Sequence, residues 1–317
     1  MKNLIVALLT VLTVFSSCGQ NKEVSTENKG NVKEETIAMP QKANITTEQM
    51  NKNIAESIRN DFAVKETENN LKALEIIAET QKAIKLIDEK KNKEAKEEMA
   101  KLIGDLEILM TKDPNLVLVP LVAEFTVNDL IIDIETAKAL IKEAKKAFKE
   151  GYYQAAKQIL NGLTSEYIIT TTYLPVGTYP AAMKLAAAKL DENKNEEAKA
   201  ILLQALNTLV IKEDRIPMPV LKAEEYIGLA AVTMAGDEKN KKELANVFLD
   251  NADYQLRLAE VMGYGKRDKE FKELYRAIKG LKKAISKGEE TKGLFDDLKK
   301  KIKGFKERLF FKKDSIK

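Results

Sequence analysis

Histidine and tryptophan are both missing from the 317 residues, and cysteine occurs once. Without imidazole the chain lacks the usual neutral-pH general base, any Ser-His or Cys-His nucleophile pair, and every zinc site that uses histidine. A single cysteine excludes an internal disulfide, so the fold must rest on packing. Aromatic residues make up only 6% of the chain against 44% apolar, which gives a core of Leu, Ile, Val and Ala, the composition of packed helices. Asp, Glu, Lys and Tyr remain available for acid–base chemistry, but no spacing among them marks a catalytic centre. The expectation is a non-enzymatic protein with no cofactor and no metal.

What is present begins with MKNLIVALLTVLTVFSSCGQ, in which Lys2 precedes an apolar run from Leu4 to Phe15 and Ser16-Ser17 stands directly before Cys18. This resembles a bacterial lipoprotein signal, which implies cleavage before Cys18 and lipidation of that residue. The plainer alternatives are an ordinary cleaved signal or a short anchor, although about 12 apolar residues are few for a bilayer span. Residues 18–45 are rich in Asn, Lys, Glu, Thr and Ser without a period and read as a flexible polar tether. Residues 1–17 would then be the signal, 46–285 a helical domain and 286–317 a basic amphipathic helix. A lipoprotein of this kind is expected at the periplasmic face of a bacterial membrane, the outer membrane before the inner.

Helical periodicity dominates beyond the tether. Leu71, Leu74, Ile77, Ala78 and Ile84 share one face at 100° per residue, and Leu130, Ile134, Ala137, Ile141, Ala144 and Phe148 form a narrow seam ending at Gly151. DEKKNKEAK at Asp88 to Lys96 aligns with DENKNEEAK at Asp191 to Lys199, and Met99, Ile103 and Leu106 then match Leu202, Leu206 and Leu209. A fainter copy, KEGYYQAAK at Lys149 to Lys157, aligns on Ala156, equivalent to Ala95 and Ala198. Each copy reads as helix, tight polar turn and returning helix. Asp191, Asn193 and Asn195 imitate the start of an EF-hand loop, but Glu196 stands where Gly is required and Leu202 where Glu is, so calcium is excluded. GYGKRD at Gly263 to Asp268 lacks the upstream Gly and the following Ser or Thr of a phosphate loop and reads as a joint between helices.

Two segments break the helical pattern: Asn115 to Val127, rich in Val and Leu with Pro120 inside, and Glu166 to Leu174, β-branched and aromatic. They are expected to pair with each other, with Pro175 ending the second, Val176-Gly177 turning, Thr178 capping a helix and Pro180 early in it. The expected fold is therefore mainly α, antiparallel helical hairpins of TPR-like repeats around a small two-stranded β element.

The Thr172 to Pro175 corner, the Tyr179-Pro180 step, the run Ala205 to Val210 and the stretch Ile216 to Leu221 together resemble the YfdX family of bacterial proteins. Val119-Pro120, Ala123-Glu124 and the helix from Asp129 to Phe148 fit the same pattern, for a coverage of about Asn69 to Ile285. The resemblance implies an exported, mostly helical protein linked to bacterial stress tolerance, with chaperone-like protection of other proteins, and it brings no catalytic residues. The lipoprotein-type Cys18 and the long basic C-terminal extension depart from that pattern.

Candidate binding residues gather near the corner. Tyr152, Thr172, Tyr173 and Tyr179 could line a groove for an extended peptide, a small ligand or a cell-wall fragment; the plainer reading is half-buried rings closing a helix–strand junction. Arg215 is the remaining candidate, more simply an ion-pair partner of Glu213, Asp214 or Glu224. From Val261 onward 19 Lys and Arg face 9 Asp and Glu, a net of +10. There Phe295, Leu298, Ile302, Phe305 and Leu309 alternate with Lys299, Lys300, Lys303 and Lys306. This basic amphipathic helix either lies on an anionic membrane or docks on the core. Partners are expected to be unfolded or envelope proteins and the membrane rather than nucleic acid, with a homo-oligomer left open.

Overall fold

The computed structural model describes residues 37–62, 68–112, 117–265 and 269–310. The signal 1–17, Cys18, the first part of the tether and residues 266–268 of the expected joint lie outside the described residues. After helix α1 (Thr47–Phe62) the chain makes one move three times: helix, turn, helix, strand. The first unit is α2 (Glu68–Asp88), α3 (Asn92–Lys112) and β1 (Val119–Asn128). The second is α4 (Ile134–Lys149), α5 (Tyr153–Gly162) and β2 (Glu166–Leu174), and the third is α6 (Tyr179–Asp191), α7 (Asn195–Leu206) and β3 (Val210–Pro217). Helices α8 (Met218–Ala235), α9 (Lys241–Met262), α10 (Lys269–Lys287) and α11 (Lys292–Phe310) follow.

The three turns are built alike. Lys90, Gly151 and Asn193 take left-handed φ values of 59°, 86° and 57°. The next amide in each, Lys91, Tyr152 and Lys194, donates 2.9 Å back to the carbonyl of Leu86, Ala147 and Lys189, which ends the first helix. Only at Gly151 is that backbone free of a Cβ penalty. Five positions after each turn residue stand Ala95, Ala156 and Ala198, all buried, where a larger side chain would hold the two helices apart.

The first and third hairpins face each other about a local two-fold axis. Asn92 Nδ2 donates to Asn195 Oδ1 at 2.8 Å, and Asn195 Nδ2 donates to Asn92 Oδ1 at 3.0 Å. Lys96 reaches Asp191 at 2.5 Å while its counterpart Lys199 reaches Asp88 at 2.7 Å, so equivalent residues are exchanged across the axis. The buried positions Ala73, Ile76, Thr80, Ala83 and Ile87 recur as Val176, Tyr179, Met183, Ala186 and Leu190, all in one shared core. Reciprocal pairing of this kind is rotation, whereas an array of TPR-like repeats is built by repeated stacking in one direction. It also corrects part of the expected face of α2: Leu71 and Leu74 are 51% and 46% exposed, Ile77 and Ile84 pack at the edge of the core, and the buried seam runs through Ala73, Ile76, Thr80, Ala83 and Ile87. Close packing selects Ala there, and Thr80 is tolerated because its hydroxyl donates to Ile76 O at 2.7 Å.

The β element has three strands in the order β1-β2-β3, all antiparallel, and not the expected two. β1 and β2 pair as expected, with a register shift between Pro120 and Val122, and β2 has the expected bounds. The third strand was concealed because Lys212, Glu213, Asp214 and Arg215 are poor strand formers. One face of the sheet is covered: Tyr167, Ile169 and Ile216 pack on Met50, Ile54 and Ile58 of α1 and on Met218 and Leu221 of α8. Thr178 does occupy the N-cap position of α6, but its hydroxyl donates to Pro175 O at 3.0 Å and does not cap the helix.

Helices α8 to α11 enclose a second core, in which Phe271 and Phe305 meet edge to face at 4.8 Å. The expected boundary at 286 is not a structural one, since α11 belongs to the same compact unit, Ile37–Lys317. The end of the expected tether is also part of this unit. Ala43 is buried, Asn251 Nδ2 donates to Gln41 O at 2.9 Å, and Thr46 and Gln49 form a capping box at the start of α1. If the reciprocal amide pair joins the two hairpins, Asn92→Ala and Asn195→Ala each cost about 1 kcal/mol in urea unfolding, and the double variant costs clearly less than the sum.

Candidate binding surface

Strand β2 has one covered and one open side, and register decides what shares the open one. Residues directly opposite across antiparallel strands lie on the same face. Val122, Thr172 and Ile211 therefore form one row, Glu124, Thr170 and Glu213 the next, and Thr126, Ile168 and Arg215 a third. Val122 is 48% and Ile211 66% exposed, which makes the first row an apolar strip bordered by acidic residues. Arg215 lies across the other end. Its guanidinium donates to Glu213 at 2.7 Å and to Glu166 at 3.1 Å, and these carboxylates raise its already high pKa. Of the partners expected for Arg215, Glu213 is thus engaged, while Glu224 instead holds Lys306.

Of the five candidate residues near the corner, only Thr172 and Arg215 share the open face of the sheet, and they stand two rows apart. Tyr173 is half-buried on the opposite side of β2, with Lys212 Nζ 5.6 Å from its ring centre. Tyr152 is 64% exposed at the α4–α5 turn. Tyr179 is fully enclosed between the first and third hairpins, and its hydroxyl has no hydrogen-bond partner among the described residues. The expected groove between Tyr173 and Tyr179 is not assembled, because one ring is spent in the core. Val122 and Ile211 were missed, though the alternation of outward positions in β2 would have found them once the third strand was recognised.

The lysine row of α11 is divided. Lys299, Lys300 and Lys303 are exposed, while Lys306 is buried in an ion pair with Glu224 of α8. Phe295, Leu298, Ile302 and Phe305 are all buried, so the apolar face of this helix is used within the fold. A hollow of about 320 Å³ opens between α9 and α10. There Arg257 donates to Asp253 at 2.6 Å and lies 4.5 Å from the Tyr275 ring centre, while Tyr275 donates to Glu260 at 2.8 Å. Burial, helped by that carboxylate, pushes the Tyr275 phenol well up. Among the described residues no three His, Cys, Asp or Glu side chains are grouped to hold a metal, and no helix is long and apolar enough to cross a membrane.

Burial pushes Tyr179 and Tyr264 up to about 12. An unfolded tyrosine ionises near pH ~10, so the native state keeps these protons after the unfolded state has lost them. Stability contributed by the neutral phenols is complete below about pH 10 and declines as pH rises toward about 12. Because the Tyr179 hydroxyl is unpartnered, Tyr179→Phe should raise stability at pH 7 by up to about 1 kcal/mol and reduce the alkaline decline, as measured by urea unfolding at stepped pH.

Residues 76–215 match a family model described as YfdX protein. The solved structure of Salmonella Typhi YfdX is similar at 15% identity and a TM-score of 0.32, over 46% of this chain and 91% of that one. No curated protein matches the chain. The family match runs from the middle of α2 to Arg215 in β3 and so takes in nearly all of the three helix–helix–strand units. Over residues 76–215, less than half of its length, this chain matches the YfdX family.

Proposed function

We propose that this protein is a non-enzymatic, lipid-anchored protein of the bacterial cell envelope that holds unfolded segments of other proteins under stress. The observation that carries the reading is the open side of the sheet, where Val122 and Ile211 keep apolar surface in water with Thr172 between them. Such a strip suits an extended segment of low sequence specificity, since apolar contact is non-directional and the flanking Glu124 and Glu213 oppose acidic clients. Attachment rests on the Ser16-Ser17-Cys18 pattern behind its apolar run. Lys299, Lys300 and Lys303 add an electrostatic attraction to anionic headgroups, one that needs no apolar insertion of α11.

Suppression of aggregation of heat-unfolded citrate synthase at low molar ratio tests the client reading. The wild-type protein should suppress light scattering, and Ile211→Glu with Val122→Glu should weaken this several-fold while thermal unfolding of the protein itself is unchanged. Absence of suppression by the wild type sinks the reading; undiminished suppression by the variant moves the site elsewhere. For the anchor, Cys18→Ser should shift the protein from the membrane fraction to the soluble fraction of the envelope.

A further inference from the structure

The second hairpin is equivalent to the other two, position for position, when counted from its turn residue Gly151. Phe148 stands where Ile87 and Leu190 do, Tyr153 where Asn92 and Asn195 do, and Leu160 where Met99 and Leu202 do. In the first and third hairpins these places form the contact across the local two-fold. Ile87, Leu190, Met99 and Leu202 are at most 3% exposed, and the two asparagines bond to one another. In the second hairpin the same face is open: Phe148 is 63%, Tyr153 59% and Leu160 51% exposed. Phe148 and Tyr153 meet edge to face at 5.2 Å, so the exposed surface is one aromatic patch and not scattered side chains. The base of α4 is occupied elsewhere, with Ile134 and Ala137 packed on Tyr254 and Leu258 of α9.

We propose that the α4–α5 hairpin pairs with the α4–α5 hairpin of a second copy of this chain about a two-fold axis, as α2–α3 pairs with α6–α7 within one chain. The hairpin carries the same turn and the same buried alanine as its sisters, and what covers this face in them is another such hairpin. A second copy supplies that shape and satisfies the self-complementarity that a two-fold interface demands. The substitutions suit an interface between chains: the amide pair becomes a pair of Tyr153 rings, and Phe148 and Leu160 enlarge the apolar centre. Charge opposes it at one place. The aspartates at Asp88 and Asp191 have Lys149 as their counterpart, so the crossed partners Lys149 and Lys157 carry charge of the same sign.

That repulsion gives the dimer a distinctive salt dependence. Sedimentation equilibrium of the chain carrying Cys18→Ser, which keeps it unlipidated, should show a monomer–dimer equilibrium that tightens as salt is raised, because screening weakens the Lys149–Lys157 repulsion. Lys149→Asp recreates the crossed pairs of the sister hairpins and should tighten the dimer about tenfold at low salt. Phe148→Glu with Leu160→Glu should leave a monomer of unchanged far-UV circular dichroism. Tyr153→Cys in the same background should form a disulfide-linked dimer under mild oxidation, whereas Lys239→Cys, on the exposed α8–α9 loop, should not. A chain that stays monomeric even with Lys149→Asp overturns the proposal, as does an oligomer that survives Phe148→Glu with Leu160→Glu.

Discussion

Close approach of two helices at a tight turn is the constraint from which the rest of this molecule follows. Ala95, Ala156 and Ala198 occupy the point where a returning helix crosses the end of the one before it, and each is buried. A methyl group there lets the backbones come together, and the left-handed residue before it fixes the angle of return. With the angle fixed three times, three strands are delivered to one sheet, each after its own hairpin. Ala83 and Ala186, at equivalent places among larger apolar residues, lie in the shared core where the first and third hairpins interlock, and the Asn92–Asn195 pair sets their register. A buried or half-buried polar pair of this sort contributes less to stability than to uniqueness of pairing, since a slip of one position would leave amide groups unmatched.

The sheet is small, and its two sides have different roles. One carries Tyr167, Ile169 and Ile216 into contact with α1 and α8, which ties the three repeated units to the rest of the chain. The other carries threonines, an ion-paired arginine and an exposed Val122–Ile211 strip. Surface of this kind is uncommon on a sheet whose edges each pair with β2 alone. Charged residues such as Glu124, Glu213 and Arg215 beside the strip discourage edge-to-edge aggregation while leaving the apolar row accessible.

Much of this was written in the residues, though unevenly. The repeat at Asp88 and Asp191, the bounds of β2, its pairing with β1 and the three alanines are all legible, because each is a local pattern with a local cause. β3 was hidden behind four consecutive charged residues, where cross-strand partners and not intrinsic preference maintain the strand. The seam of α2 was displaced toward Leu71 and Leu74 because periodicity favours the larger apolar side chains, whereas a tight helix pair favours the smaller ones. The same limit applied to Tyr179: the sequence marks a tyrosine beside a corner, and only packing reveals that the ring is enclosed between two hairpins.

By itself the sequence determined the secondary structure of most segments, the recurrence of the hairpin, and the exclusion of an internal disulfide and of histidine chemistry. These depend on properties that neighbouring residues carry with them: backbone preference, spacing of apolar side chains and the presence or absence of a functional group. Tertiary structure alone decided which copies of the hairpin meet, which side of the sheet stays in water and where the lysines of α11 divide, with Lys306 turned in and Lys299, Lys300 and Lys303 turned out. Those choices depend on contacts between residues far apart in the chain, 111 positions for Lys199 and Asp88. Interactions over such separations exist only once the chain has closed on itself, so no window along the sequence contains them.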